Sequence, residues 1–237
     1  NPELEARAAE QAASGRILPD TTYALGQLRA MDADVRLRAQ RIDSPVLPLD
    51  HMDANLSLDD GLLTLEPLDF GVAGGTIRSN VRMDARGDVI ETRLDASLRG
   101  LDLQHMFPDS EVVEDTLGAI GGEIGLTGHG NSIAGMLGSA SGEVMVGMGR
   151  GQISNLIVEL AGIDIFEALR FLVTGDRQIP INCAFADFQV EQGLMKSRAI
   201  AFDTTDTLIV GEGTIDLEEE SLDLELRPRP KDRSLLA

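Results

Sequence analysis

Aromatic rings, histidines and thiols are scarce in this chain. In 237 residues it has no tryptophan, one tyrosine, seven phenylalanines, three histidines and one cysteine. Each scarcity narrows the possible functions. Exposed bases would find few rings on which to stack, which argues against single-stranded nucleic acid as a ligand. The formal net charge of −20 extends that argument to nucleic acid in general, because a polyanion needs a basic stripe. The basic cluster Arg227, Arg229, Lys231 and Arg233 sits at the very end of the chain. The acidity reads as a solvated outer face that keeps the protein soluble. A single cysteine, Cys183, excludes an internal disulfide, and its strand-like surroundings predict that it packs as a small hydrophobe. No run reaches the ~18 apolar residues of a membrane span, and no signal peptide is visible. The opening NPELEARAAEQ and the closing SLLA, just after a strand pattern, lead us to expect a piece of a longer protein, with its targeting segment elsewhere.

What the chain does contain is aliphatic alternation. Hydrophobic residues make up 43% of it, ample for a core. In DADVRLRAQ, Ala33, Val35, Leu37 and Ala39 fall on one side and Asp34, Arg36 and Arg38 on the other, a period of two. MDANLSL repeats the pattern with Met52, Ala54, Leu56 and Leu58 before a DDG turn at Asp59 to Gly61. LLTLEPLDF, GTIRSNVRMD and VIETRLDASL follow, each short, amphipathic and bounded by Gly, Asp or Pro, as in an antiparallel meander.

The middle of the chain changes character. From Leu117 to Gly151 glycine is dense; the pattern predicts a strand at 122–127, a short helix near 132–139 started by Asn131 or Ser132, and a strand at 142–148. ISNLIVELAGIDIFEALRFLVTG predicts one long helix over 153–173 with Gly175 as its C-cap. Its polar stripe carries Asn155, two glutamates and Arg170 rather than the Lys and Arg of a membrane-surface helix, so packing on the sheet is expected. We therefore divide the chain into an N-terminal helical or linker segment at 1–27, a β-meander unit at 28–116 and a C-terminal module at 117–237, expected to share one continuous sheet. A shift of 132 residues lays MDANLSLDDGLLTLEPLDF on AFADFQVEQGLMKSRAIAF, matching Ala54 with Ala186, Gly61 with Gly193 and Phe70 with Phe202. That echo is either a repeated strand–turn–strand unit or the generic likeness of two hairpins.

Motifs for chemistry are few. GMGRG at 147–151 lacks the third glycine of a dinucleotide loop, with Gln152 in its place, and reads as a tight turn. His51, His105 and His129 lie far apart, in loops or at strand ends, with no zinc-site spacing. The forty carboxylates form the polar half of strand alternation, and nothing local selects a catalytic pair. No catalytic residue, metal site or cofactor is expected, and the chain is not expected to be an enzyme. The strand patterns together offer one long apolar face with little helix to cover it. Either the strands split into a sandwich or part of the face stays open to an apolar partner.

The runs CAFADFQVEQGLM at 183–195, DTTDTLIVGEGTIDL at 203–217 and LELRPRPKD at 224–232 resemble the C-terminal module of the AsmA family of bacterial envelope proteins. PLDHMDANLSLDDGLLTLEPLDFGVAGGTIRSNVRMDARG resembles the strand units that precede that module, and the likeness covers roughly residues 30–237. The resemblance implies a mainly β fold: an elongated, curved antiparallel sheet folded like a taco with an apolar groove along its length, and one long and one or two short helices. It further implies a periplasmic protein tethered to the inner membrane by an N-terminal anchor missing from this sequence, with a role in moving phospholipid and in outer-membrane integrity. The partners implied are phospholipid, bacterial membranes and an envelope protein. The alternative is a non-catalytic β-sandwich scaffold assisting outer-membrane protein assembly. Smooth aliphatic walls suit acyl chains, each buried CH2 contributing ~0.8 kcal/mol. From apolarity, the groove-lining candidates are Leu56, Leu58, Leu63, Leu65, Ile77, Val81, Ile90, Leu94, Leu98, Phe188, Val190, Ile200, Phe202, Ile209 and Ile215.

Overall fold

The structure, a computed structural model, describes residues 16–40, 42, 49–106, 118–153 and 179–231. A short helix α1 (Leu25–Arg29) precedes the strands β1 (Ala33–Ala39), β2 (Leu49–Asp59), β3 (Leu62–Val72), β4 (Gly75–Asp84) and β5 (Glu91–Asp102). One helical turn, α2 (Leu103–Met106), then β6 (Ala119–His129), helix α3 (Ile133–Gly138), β7 (Ser141–Met148) and β8 (Gly151–Ile153) follow. The chain continues through β9 (Ile179–Glu191), β10 (Leu194–Thr204), β11 (Thr207–Asp216) and β12 (Ser221–Pro230). All twelve strands lie in one sheet in the order β1-β2-β3-β4-β5-β6-β7-β9-β10-β11-β12, with β8 also on β9. Every pairing is antiparallel, and the sheet is open and curved rather than closed.

Turn chemistry explains the meander. Asp60-Gly61, Ala73-Gly74 and Gln192-Gly193 each place two residues at positive φ between paired strands, the backbone whose twist matches that of the strands it joins. Local side chains fix α3: the Ser132 hydroxyl accepts from the Gly135 N–H at 3.1 Å as its N-cap. Asn131 serves the preceding turn, its Oδ1 accepting from the Ile90 N–H at 3.1 Å. Strands β6 and β7 approach closely at Gly142, which pairs with Leu126. At Gly142 φ is +146° and an added Cβ would lie 2.0 Å from the Gly125 carbonyl oxygen, so no other residue fits without moving backbone.

The echo at a spacing of 132 is a structural repeat. In β2–β3, Leu58 pairs with Leu63 and Leu56 with Leu65; one extra residue then shifts the register, so that Ala54 meets Leu68 and Met52 meets Phe70. In β9–β10, Val190 pairs with Met195 and Phe188 with Ser197; after the same one-residue shift, Ala186 meets Ile200 and Ala184 meets Phe202. Turn, register and bulge coincide at every equivalent position.

The two edges of the sheet differ. The Lys231 N–H donates to the Asp206 carbonyl at 2.8 Å, so by alternation Pro228 and Pro230 occupy positions of β12 that face away from β11. That outer edge therefore lacks two donors. The β1 edge, ADVRLRA, contains no proline.

Several expectations need adjusting. Residues 28 and 29 belong to α1, and the first strand begins at Ala33, because Leu25 and Leu28 dock on the sheet before the chain turns into it. Ile153 ends β8 instead of opening a helix, and the rest of the predicted 153–173 helix, like residues 1–15 of the expected N-terminal helical or linker segment, lies outside the described residues. Cys183 is exposed rather than packed, since its parity in β9 is opposite to that of Ala184 and Ala186. His105 sits within α2, its ring 3.0 Å from the Asp102 carboxylate, which lies below the usual carboxylate range although burial opposes the shift.

Candidate functional site

Directly paired residues of neighbouring strands point to the same face, so the registers trace side-chain rows across the sheet. One row crosses all eleven strands of the main path: Val35, Leu56, Leu65, Val81, Leu94, Leu126, Gly142, Val190, Met195, Ile215 and Leu222. A second runs Ala39, Met52, Phe70, Ile77, Leu98, Gly122, Val146, Ala186, Ile200, Gly211 and Leu226. Between them lie Leu37, Ala54, Leu68, Ser79, Ala96, Ile124, Val144 and Phe188. No charged side chain interrupts any of the three. At ~4.8 Å per strand, the face extends about 48 Å across the sheet.

Glycine also shapes this face. At Gly211 an added Cβ would fall 2.6 Å from Leu226 Cδ2 and 3.0 Å from Ile200 Cγ2, so its bare backbone lets those two side chains close over it.

Both margins of the face are covered by the protein itself. At the margin carrying the β2–β3, β4–β5 and β9–β10 turns, Leu25 and Leu28 of α1 and Met136 of α3 pack on Met83, Ala85, Ile90, Leu63 and Val81. Farther along, Ala140 and Leu217 join Phe188, Val190 and Met195. At the opposite margin, Met106 of α2 packs with Val72, Ala73 and Leu101. The middle rows have no second sheet over them, since all described strands share one sheet. Their side chains are mostly half-buried, covered laterally by cross-strand neighbours, and the ends are open: Val35 is 48% and Leu222 66% exposed.

The other face is charged and self-paired. Arg93 bonds Asp95 at 2.7 Å, Arg99 bonds Glu123 at 2.7 Å, and Arg198 bridges Asp187 at 2.7 Å and Glu143 at 2.9 Å. These carboxylates line a shallow depression of about 700 Å3 together with Arg78 and Arg198. Carboxylates of distant strands do converge, but each of these four is matched by an arginine. The guanidinium of Arg198 is held above its ordinary range by Asp187 and Glu143.

All fifteen residues predicted from apolarity belong to the apolar side. Fourteen fall on its strand rows, and Ile90 sits just before β5 in the margin cluster. Ile90, Val190, Leu58, Phe188 and Ile209 are buried by the protein's own side chains, whereas Leu56, Leu63, Leu65, Ile77, Val81, Leu94, Leu98, Ile200, Phe202 and Ile215 are half-buried. The strands expected at 122–127 and 142–148 are β6 and β7, but the candidate list drew nothing from them; they contribute Ile120, Ile124 and Leu126, then Val144, Val146 and Met148. Their period of two was the available signal, masked by the intervening glycines.

An AsmA family model matches residues 1–200. The chain belongs to the AsmA family. The AsmA family protein YhjG of Escherichia coli (strain K12) is 33% identical over 219 residues, covering 92% of this chain and 32% of that protein. The chain thus spans about a third of the length of this curated AsmA relative. No solved structure matches it. Of the three runs that carried the C-terminal resemblance, 183–195 lies within the matched span, whereas 203–217 and 224–232 lie beyond it. AsmA family proteins are envelope-associated, and membership assigns this chain to the envelope at that level. Among the described residues, no helix is long and apolar enough to cross a membrane.

Proposed function

We propose that this AsmA chain is a lipid-handling module that holds phospholipid acyl chains against its apolar face, in the periplasm, for lipid transfer serving the outer membrane. A tether in the full-length protein would hold it at the inner membrane. The observation that carries the reading is the pair of uncharged rows crossing every strand of the main path, with no second sheet above them among the described residues. Hydrocarbon laid along such rows would gain ~0.8 kcal/mol for each CH2 removed from water. Six or seven methylenes would therefore supply about 5 kcal/mol before ordering costs. Binding of this kind asks little of the headgroup and involves no bond-making step. The pairing of the polar-face carboxylates with arginines supports a non-catalytic role. A sandwich scaffold is less well supported, because it requires two stacked layers and the described strands make one.

Native mass spectrometry of the purified chain, together with uptake of a fluorescent phospholipid, tests the proposal. Co-purifying phospholipid, or saturable uptake lost on Leu94→Asp and Leu126→Asp with the fold retained, is expected. Absence of both signals from the folded wild-type chain would overturn it.

A further inference from the structure

Before it enters β1, the chain runs along one whole margin of the sheet. Arg16 begins at the β11–β12 turn, its Nε donating to Glu220 at 2.8 Å and its Nη2 to the Glu218 carbonyl at 3.0 Å. The N–H groups of Ile17 and Leu18 also point to Glu220, at 2.5 and 3.4 Å. The segment then reaches α3, where the Pro19 carbonyl accepts from the Ala134 N–H at 2.9 Å and Asp20 accepts from the Ser132 hydroxyl at 2.7 Å. The Tyr23 N–H donates to the Asn131 carbonyl at 2.7 Å. Leu25 and Leu28 press on the margin cluster, and Arg29 donates to the Ala85 carbonyl at 2.6 Å and to that of Gly87. Finally, Asp32 accepts from the Asp60 N–H at 3.2 Å beside the β2–β3 turn.

The segment therefore ties the last hairpin of an open sheet to its first strand. Its reach is limited. Twelve extended residues at ~3.4 Å and five helical residues at ~1.5 Å span about 48 Å. The flat-sheet distance from the β11–β12 turn to β1, nine to ten strand spacings, is about 46 Å. A strap of that length follows a curved sheet with slack and reaches across a flat one only when almost fully extended.

We propose that residues 16–32 act as a rim strap, and that its Arg16–Glu220 clasp controls how readily acyl chains enter the apolar face. This rests on the lipid-handling reading. While the clasp is closed, Leu25, Leu28 and the strap backbone seal one long margin. With it open, residues 16–18 lose their anchor at β11–β12, only the contacts of Pro19, Asp20 and Tyr23 to α3 and Asn131 hold that end, and the margin can part.

The test compares the full wild-type chain with Glu220→Ala and Arg16→Ala. It uses hydrogen exchange over residues 17–24 and uptake of a phosphatidylglycerol bearing a fluorescent acyl chain, presented in phosphatidylethanolamine/phosphatidylglycerol vesicles. Glu220 lies in the β11–β12 turn with its side chain largely covered and Arg16 lies in the strap, so a thermal melt checks that the sheet remains folded in each variant. Either variant should raise exchange at Ile17 and Leu18 about tenfold and speed lipid uptake at least about threefold, with final occupancy unchanged. Faster exchange with an unchanged uptake rate overturns the strap's role and leaves lipid handling intact. Unchanged exchange in both variants overturns the clasp itself. A folded wild-type chain that takes up no lipid removes the reading on which the strap's role depends, and the strap's role with it.

Discussion

The β2–β3 and β9–β10 hairpins are the same unit used twice, with matching turn, register and bulge, yet they occupy different surroundings. The first lies next to the edge strand β1; Leu56 and Leu63, the counterparts of Phe188 and Met195, stay half-buried there, while Leu58, the counterpart of Val190, is buried. The second lies inside the sheet between β7 and β11, where Ala140 and Leu217 join Phe188, Val190 and Met195, and these three are buried. Local sequence sets the hairpin; what is laid over it sets whether its apolar side chains serve as core or as an accessible surface.

The largest expected contrast is between charges placed on equivalent faces. Val190 is 0% exposed, so Val190→Asp buries an unpaired carboxylate and should cost at least ~4 kcal/mol, enough to unfold the module in urea titrations. Leu56→Asp, in the half-buried row of the first hairpin, should cost ~1–2 kcal/mol and leave a cooperative transition. Equal losses would break the distinction between core and surface use.

The turn glycines sharpen the comparison. Gly61 and Gly193 both have φ of +77°, so alanine strains either backbone by ~1–2 kcal/mol. At Gly193, however, the new Cβ would lie 2.2 Å from the Gly138 carbonyl oxygen at the end of α3, whereas at Gly61 the nearest atom is the movable Arg29 Cγ at 3.1 Å. Gly193→Ala should therefore cost beyond ~3 kcal/mol and Gly61→Ala only the strain, read by thermal or urea unfolding.

The smallest contrast is in pH. Residues 27–29 of the strap are held by Arg29 on backbone carbonyls and by Leu28 on the margin cluster, which do not titrate in this range, with the Asp32 carboxylate on the Asp60 N–H farther along. Near β11–β12 it is held by Glu220, whose carboxyl is kept below its ordinary value by the Arg16 guanidinium and the N–H groups of Ile17 and Leu18, with Asp20 and Glu218 the nearby acidic groups. A depressed folded value means that the clasp contributes fully above the unfolded value of about 4.5 and is lost as pH falls through the lower folded one. Acid should thus raise amide exchange at residues 17–18 well before residues 27–29, and simultaneous release of both ends would refute the assignment.

Much of this arrangement could be read from the residues. Period-two runs and Asx-Gly or Gly turns marked β1 to β5 and β9 to β12, and the residues chosen there for apolarity fall on one face of the sheet. The bulge was harder to see. At Glu66-Pro67, and again at Arg198-Ala199, the apolar parity slips from Leu63 and Leu65 to Leu68 and Phe70, and from Met195 and Ser197 to Ile200 and Phe202. One hairpin alone would read as broken alternation; only the pair shows it to be a repeat. The strap was invisible for a different reason. Its anchors join residues about two hundred positions apart through single side chains and backbone groups, and no local pattern announces such contacts.

Pro228 and Pro230 give the sheet a direction. A strand approaching the β12 margin meets two missing hydrogens in the ladder it would have to complete, whereas one approaching β1 meets an uninterrupted series. Lateral growth, whether by a neighbouring segment or by misassembly at high concentration, is therefore favoured on one flank and discouraged on the other.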